Sequence, residues 1–286
     1  MFIARFYPLI HLSRLTRPTG IWLLMLPCWW GTAFYCSILS IEFYSYLVLF
    51  LFGATCLRTA GCVFNDWIDQ SYDRQVSRTK NRPLASYQVS YGQAFSLFIL
   101  MMTGGGLVWI SLNTLSKICS LIAFGLLILY PFMKRITQWP QFFLGLAFNS
   151  GVMIACTDIH PLSLYDIKIW FLYMAGILWT LAYDTIYAFQ DIKDDQKLGL
   201  GSTAILFKRY PKKLIWFCYG SMILFLGSIG ILKRYSFIYF TILFLSFSRF
   251  FFLLKIWKVN DPKSCFFFFK KNVWLGFLIF IALVLK

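Results

Sequence analysis

Three aspartates, Asp66, Asp69 and Asp73, stand three and four residues apart in the stretch NDWIDQSYDRQVSRTKNRP, and Arg74, Arg78, Lys80 and Arg82 follow at once. The chain has 286 residues and only 11 acidic ones, so this concentration needs a reason. A second acid-rich stretch, YDTIYAFQDIKDDQKLGLGST, carries Asp184, Asp191, Asp194 and Asp195. At about 100° per residue, offsets of 0, 3 and 7 put Asp66, Asp69 and Asp73 on one helical face, and Asp184, Tyr187 and Asp191 repeat those offsets. Asp194 and Asp195 fall near the same face. Two such faces brought together would repel unless cations lay between them. Mg²⁺ suits that position, because it takes carboxylate oxygens, keeps several waters and is completed by phosphates. Arg78, Arg82 and Lys134 would hold the phosphate charge that remains. The pattern predicts a paired metal–diphosphate site with Asp66, Asp69, Asp73, Asp191, Asp194 and Asp195 as metal ligands.

The elements that must position these acids are membrane spans. Hydrophobic residues make up 59% of the chain and charged residues 13%, where a soluble domain carries about 25% charged. A span needs about 20 apolar residues, and nine candidates satisfy this, near 20–38, 45–64, 91–110, 116–133, 140–157, 167–187, 213–232, 236–254 and 266–285. Two long polar loops, 65–90 and 188–212, follow the second and sixth spans. The layout leaves no room for a soluble domain, so residues 1–286 read as one all-α polytopic membrane domain. The matching positions of the two acidic loops, four spans apart, suggest an internal duplication. A cleavable signal peptide is not expected, since RLTRPTG leads straight into the first span.

Charge sets the orientation. With the N-terminus cytoplasmic, twenty Lys and Arg fall on the inner side and five on the outer, which follows the positive-inside rule and puts both acidic loops in the cytoplasm. The pair Lys233-Arg234 is the local violation. The net charge of +16 lies in short interhelical loops rather than on one surface, so the partner it implies is a lipid bilayer and not nucleic acid. No feature calls for an obligate protein partner. The eight Cys are scattered without a C-x-x-C pair, and the two His are far apart, which excludes a zinc or disulfide framework and a histidine metal centre.

Two arginines lie within spans. Arg58 stands seven residues before Asn65, on the face of Asn65 and Asp69, and charge at such depth marks function. Arg249 matches no motif, and pairing with another helix is expected for it. A diphosphate at the rim of an apolar, aromatic-rich bundle implies a lipid tail lying inside the bundle.

NDWIDQSYDRQVSRTKNRPL resembles the N-D-x-x-D-x-x-x-D…R-T-x-x-R-P motif of the UbiA superfamily of intramembrane prenyltransferases. YDTIYAFQDIKDDQKLGLGSTAILF is similar to the second motif of its 4-hydroxybenzoate polyprenyltransferase branch, and RLTRPTGIWLLMLPCWWG and YPFMKRITQWPQFFLGLAFN are similar to further segments of that branch. The resemblance implies transfer of a polyprenyl group from polyprenyl diphosphate to the ring carbon ortho to the hydroxyl of 4-hydroxybenzoate, with Mg²⁺, in the ubiquinone pathway of a bacterial inner membrane. It implies Asp66, Asp69, Asp191 and Asp195 as the acids on which turnover depends. It also implies Arg58 as an anchor for the acceptor carboxylate, with Asn65, Arg78, Arg82, Tyr130, Lys134, Asp184 and Tyr187 around the substrates. One position departs: Gly201 stands where the family has Lys, removing a cation beside the second acidic loop. Other branches, of haem O synthase or menaquinone-pathway type, fit YDTIYA and GST less well. A secondary transporter would place its polar residues near mid-membrane rather than at one rim.

Overall fold

Capping residues mark where the apolar segments begin. In the computed structural model, which describes residues 2–76 and 79–286, Ser40 accepts the Phe43 amide at the start of α3 (Ile41–Ile68). Ser90 and Gln93 form a reciprocal capping box at α5 (Tyr91–Ser111), and Asn113 caps α6 (Thr114–Ile136). Proline, which needs no amide partner at a first helical position, opens α7 (Pro140–Ile159), α11 (Pro211–Lys233) and α13 (Pro262–Val284). The other long helices are α1 (Phe2–Leu12), α2 (Thr19–Tyr35), α8 (Ile167–Ala188) and α12 (Phe237–Lys255). Three short helices, α4 (Gln70–Asp73), α9 (Ile192–Lys197) and α10 (Thr203–Leu206), lie in the two polar loops.

Among the described residues, eight helices are long and apolar enough to cross a membrane: α3, α5, α6, α7, α8, α11, α12 and α13. The ninth expected span is α2, whose 17 residues make a rod of roughly 26 Å, a little under the ~30 Å hydrocarbon thickness. It belongs to the bundle all the same. Leu23, Met25, Leu26 and Trp30 are buried, and α2 packs on α3, α7 and α13. A Cβ at Gly31 would lie 2.9 Å from the Val152 carbonyl, so glycine lets α2 and α7 approach closely. Buried indoles find partners across helices: Trp30 Nε1 donates to the Gly276 carbonyl (2.9 Å) and Trp179 Nε1 to Asn272 Oδ1 (3.0 Å).

Helix α3 is longer than its expected span. Its 28 residues extend roughly 42 Å, and the surplus over the hydrocarbon thickness carries Asn65 and Asp66 past the apolar layer while they are still helical. The polar loop therefore starts at Asp69, not at residue 65. Helix α1 had no counterpart among the expected elements. Leu12 at its end packs with Val63, Leu84, Val89 and Ala94, which sets the following turn across the acidic end of α3.

An apolar cavity of about 260 Å³ opens between α2, α3, α5, α6 and α7, lined by Leu57, Gly106, Trp109, Phe124 and Phe148 among others. It lies in the half of the bundle remote from the acids. At that remote end the two residues that violate the charge rule are accounted for. Lys233 stacks over the Phe34 ring (4.8 Å), and Arg234 closes α11 in a left-handed conformation (φ 54°). Arg249 does not pair with another helix as expected; it is exposed and makes no hydrogen bond or ion pair among the described residues.

Candidate active site

Both acidic segments break their helix in the same way. Asp69 ends α3 with φ −92° and ψ 6°, and Asp191 follows α8 with φ −109° and ψ 7°, the sparsely populated region between helix and strand. Each break restarts a short helix four residues long or slightly more. The Asp73 amide donates to the Asp69 carbonyl (2.7 Å), and the Asp195 amide donates to the Asp191 carbonyl (2.8 Å). The internal correspondence thus joins Asp69 and Asp73 to Asp191 and Asp195. It does not join Asp66, Asp69 and Asp73 to Asp184, Tyr187 and Asp191, as an unbroken helical phase suggested.

The break also divides the first three acids. Asp66, 2% exposed, holds Arg14 Nη2 between its two oxygens (2.8 and 2.7 Å) and Arg82 Nη1 on Oδ1 (2.9 Å). The same Arg82 nitrogen reaches Asp73 Oδ2 (2.8 Å). Asp69 turns the other way, to Arg135 Nη2 (3.1 Å), so the three carboxylates do not share one face. Burial pushes the Asp69 carboxyl above the ordinary range, opposed chiefly by Lys134, and pushes up that of Asp73, opposed by Arg82. Arg78 lies outside the described residues.

Among the described residues, neutral groups tie the second segment to the link between α6 and α7. The Gly201 amide donates to the Lys134 carbonyl (2.6 Å), the Thr203 amide to Gln141 Oε1 (3.0 Å), and the Thr185 and Thr203 hydroxyls share a hydrogen bond (2.6 Å). Asp191 and Asp195 are buried, while Asp194 is half-buried. Gly201 has an ordinary φ; the left-handed glycine of this loop is Gly199 (φ 66°). A Cβ at 201 would collide with the Thr137 carbonyl oxygen and come within 2.8 Å of its carbon. The departure from the family's Lys is therefore steric in consequence: this backbone has no room for a side chain there.

Between the two segments lie the residues of the inner spans. Tyr130 of α6 feels the charges of Asp184, Arg58 and Asp69, and Asp184 feels those of Lys134 and Arg58. Tyr130 is half-buried and packs against the bundle core. Tyr187 packs on Phe269 (4.5 Å). Asn65 is half-buried, and its carbonyl accepts the Asp69 amide. Arg58 lies over the Phe148 ring (5.5 Å) and follows Leu57 on α3; Leu57 and Phe148 both line the apolar cavity. A Cβ at Gly20 would fall 2.5 Å from Arg58 Nε, so glycine there makes room for the guanidinium. Arg58 has no hydrogen bond or ion pair among the described residues, and its Nε is buried. A charged donor so placed is suited to an anionic ligand.

The donor set at the rim consists of carboxylate oxygens alone, which fits a hard divalent cation such as Mg²⁺. Among the described residues no three acidic, histidine or cysteine side chains converge closely enough to share one metal ion. Asp66 and Asp73 are instead drawn onto arginines, so loading requires those guanidiniums to give way.

Two residues escaped sequence reasoning. Arg14 belongs to a turn with φ 61°, a backbone strain of about 1 kcal/mol for a side chain, and its 52-residue separation from Asp66 has no periodic signal. Arg135 counted only toward membrane orientation.

The UbiA prenyltransferase family matches residues 24–283 of this chain. The 4-hydroxybenzoate octaprenyltransferase of Pasteurella multocida (strain Pm70) is 38% identical over 273 residues, covering 95% of this chain and 92% of that protein. The enzyme of the same name from Coxiella burnetii (strain CbuK_Q154) is 34% identical over 278 residues, covering 96% and 95%. The apo structure of a UbiA homolog from Aeropyrum pernix K1 shares the fold with a TM-score of 0.75 at 22% identity, covering 92% of this chain and 96% of that one. The UbiA homolog from Archaeoglobus fulgidus bound to GPP and Mg²⁺ has a TM-score of 0.66 at 18% identity, covering 96% and 99%. From the match to nearly the whole chain, together with two broken, acid-bearing helices at one rim of an apolar bundle, it follows that this protein belongs to the UbiA prenyltransferase family.

Proposed function

We propose that this chain, acting as one catalytic domain, transfers a polyprenyl group from polyprenyl diphosphate to 4-hydroxybenzoate. The bond forms at the ring carbon ortho to the hydroxyl, and diphosphate is released, a step of ubiquinone biosynthesis. The observation that carries this reading is the half-buried guanidinium of Arg58, its Nε enclosed and without a hydrogen-bond partner among the described residues, on α3 between the paired acidic rim and the apolar cavity. The relatives that carry the name 4-hydroxybenzoate octaprenyltransferase support it.

Mg²⁺, when held by Asp66, Asp69, Asp73, Asp191, Asp194 and Asp195, supplies charge neutralisation for the leaving diphosphate, as the Mg²⁺-bound Archaeoglobus fulgidus relative suggests. Arg78, Arg82 and Lys134 take up the remaining phosphate charge, so the allylic C–O bond breaks with its electron pair leaving on oxygen. Arg58 orients the acceptor by its carboxylate, with Asn65, Tyr130, Asp184 and Tyr187 lining the space between the two substrates. The ortho carbon attacks the allylic cation and the ring then loses its proton. Phe148 and the other aromatic faces stabilise the cation and exclude water. The excess of Lys and Arg at the acidic rim supports placing that rim and the N-terminus in the cytoplasm, with the bundle in a bacterial inner membrane.

Purified protein incubated with Mg²⁺, a series of prenyl diphosphates and several aromatic acids tests the reading by product mass spectrometry. A prenylated 4-hydroxybenzoate that is absent without Mg²⁺ is expected. Prenylation of a different acceptor class, with none of 4-hydroxybenzoate, would sink it.

A further inference from the structure

The apolar cavity is walled by a ring of helices, and every seam of that ring but one is closed. Helix α2 packs on α3 and α7, α3 packs on α5, and α6 packs on α7. The seam between α5 and α6 is the exception among the described residues: the two helices touch little, although only Leu112 and Asn113 join them. They are also the least buried of the eight long apolar spans. Leu121 of α6 lines the cavity and is 56% exposed, while the other lining residues are buried or half-buried. The cavity therefore meets the lipid side at Leu121. Gly106 of α5 lines it too, and a Cβ there would meet nothing within 4 Å.

The end of the cavity at the α5–α6 turn is shut. Asn113 Nδ2 donates to the Thr157 carbonyl (2.7 Å), the Asn113 amide donates to Asp158 Oδ1 (2.7 Å), and the Ser116 and Thr157 hydroxyls share a hydrogen bond (2.7 Å). The turn is thus tied to the end of α7, and Phe50 and Leu112 are buried beneath it. Trp109 Nε1 donates to the Lys117 carbonyl (3.2 Å), which fixes the indole across the same end. At its other end the cavity reaches Leu57 and Phe148, beside Arg58. An apolar chain that enters there and outgrows the cavity has one way left, sideways through the open seam. Lipid tails are as apolar as the wall it would leave, so nothing opposes the passage.

We propose that the seam between α5 and α6, edged by Met102, Gly106, Leu121 and Phe124, is where the prenyl chain of the donor passes from the cavity into the bilayer. The assignment rests on the reading of the donor as a prenyl diphosphate. An open seam leaves donor length unbounded, and filling it makes length matter.

Turnover of 4-hydroxybenzoate with geranyl and octaprenyl diphosphates by the detergent-purified full chain reads the route. Gly106→Phe places a ring in the open seam, and its Tm should hold, because glycine is the poorer helix former. KM for octaprenyl diphosphate should rise about tenfold, while KM for geranyl diphosphate stays within about twofold. Leu121→Trp should shift the ratio in the same direction. Gly125→Phe, at an equally open position of α6 that does not line the cavity, should leave the ratio unchanged. An unchanged ratio in both seam variants overturns the proposal, as does an equal rise for the two donors. A long prenyl diphosphate carrying a diazirine in mid-chain tests the route in wild type without turnover. Peptide mass spectrometry should find the label on α5 and α6, and labelling of other helices with none on these two overturns the proposal. If α5 and α6 are labelled yet no prenylated 4-hydroxybenzoate forms, the transferase reading fails and the route stands.

Discussion

The segments 64–73 and 186–195 bend through the same backbone geometry, and the contacts that hold them among the described residues differ in kind. In the first, guanidiniums from three separate places, Arg14, Arg82 and Arg135, close on Asp66, Asp69 and Asp73. In the second, amides and hydroxyls at Gly201, Thr203 and Thr185 seat the loop against the link between α6 and α7. Ion pairs are weakened by salt and can be exchanged for another charged partner, while neutral hydrogen bonds in a tight fit cannot. The difference suggests a division of labour. The first segment can trade its arginines from carboxylate to diphosphate, and the loop after the second, at Gly201 and Thr203, is seated by neutral hydrogen bonds.

The sharpest test of the shared geometry is to remove the matched acids one at a time. Asp69→Asn and Asp191→Asn should each reduce kcat by at least about 100-fold, the scale of losing one transition-state electrostatic contact, with Tm little changed. If one variant keeps most of its activity, the two segments are not functional equivalents, however similar their backbones.

The seat of that loop is tested at Gly201. Gly201→Ala forces a Cβ into the Thr137 carbonyl, and an overpacked contact of this kind costs about 1–3 kcal/mol. Thermal unfolding should show the loss, and Gly201→Lys should be at least as damaged, with no gain in donor affinity. A Gly201→Lys protein of normal Tm and tighter donor binding would mean that the loop is as adaptable as the first.

Next in size is the difference between two arginines of the first segment. Arg82 joins two buried carboxylates, so Arg82→Gln takes the guanidinium from Asp73 and leaves Asp66 to Arg14, and should cost about 1.5–3 kcal/mol and raise donor KM. Arg135 and Asp69 are each about one-third exposed, and Arg135→Gln should cost under about 1 kcal/mol. Equal effects in denaturation curves would remove the distinction between clamp and rim.

The smallest effect is in pH. The folded carboxyls of Asp69 and Asp73 are raised above their unfolded values, chiefly by burial. The folded state therefore binds more protons in the window just above the ordinary Asp range, and this contribution is present in acid and lost as pH rises through the raised values. Without Mg²⁺, Tm should increase slightly as pH falls from neutrality toward about 5. Asp69→Asn with Asp73→Asn should flatten that slope.

Much of this was legible in the chain. The apolar stretches, the two acidic segments and the singling out of Arg58 follow from residue type and spacing, because a span must be apolar and a charge within one stands out. The short α2 was legible too, since its neighbours left no other place for it. The helix break at Asp69 was not, because nothing in NDWIDQSYD distinguishes a continuous helix from one that restarts, and the supposed common face of Asp66, Asp69 and Asp73 failed there.

By itself the sequence determined the membrane class and which residue types gather at one rim, since these depend on composition and order along one chain. Only the tertiary structure decided that Arg14 reaches Asp66 across 52 positions, that Gly201 abuts the Thr137 carbonyl, and that Arg58 Nε is enclosed without an acceptor among the described residues. Each of those depends on which surfaces of separate helices meet, and that is set by how side chains pack in three dimensions, which no local period along the chain records.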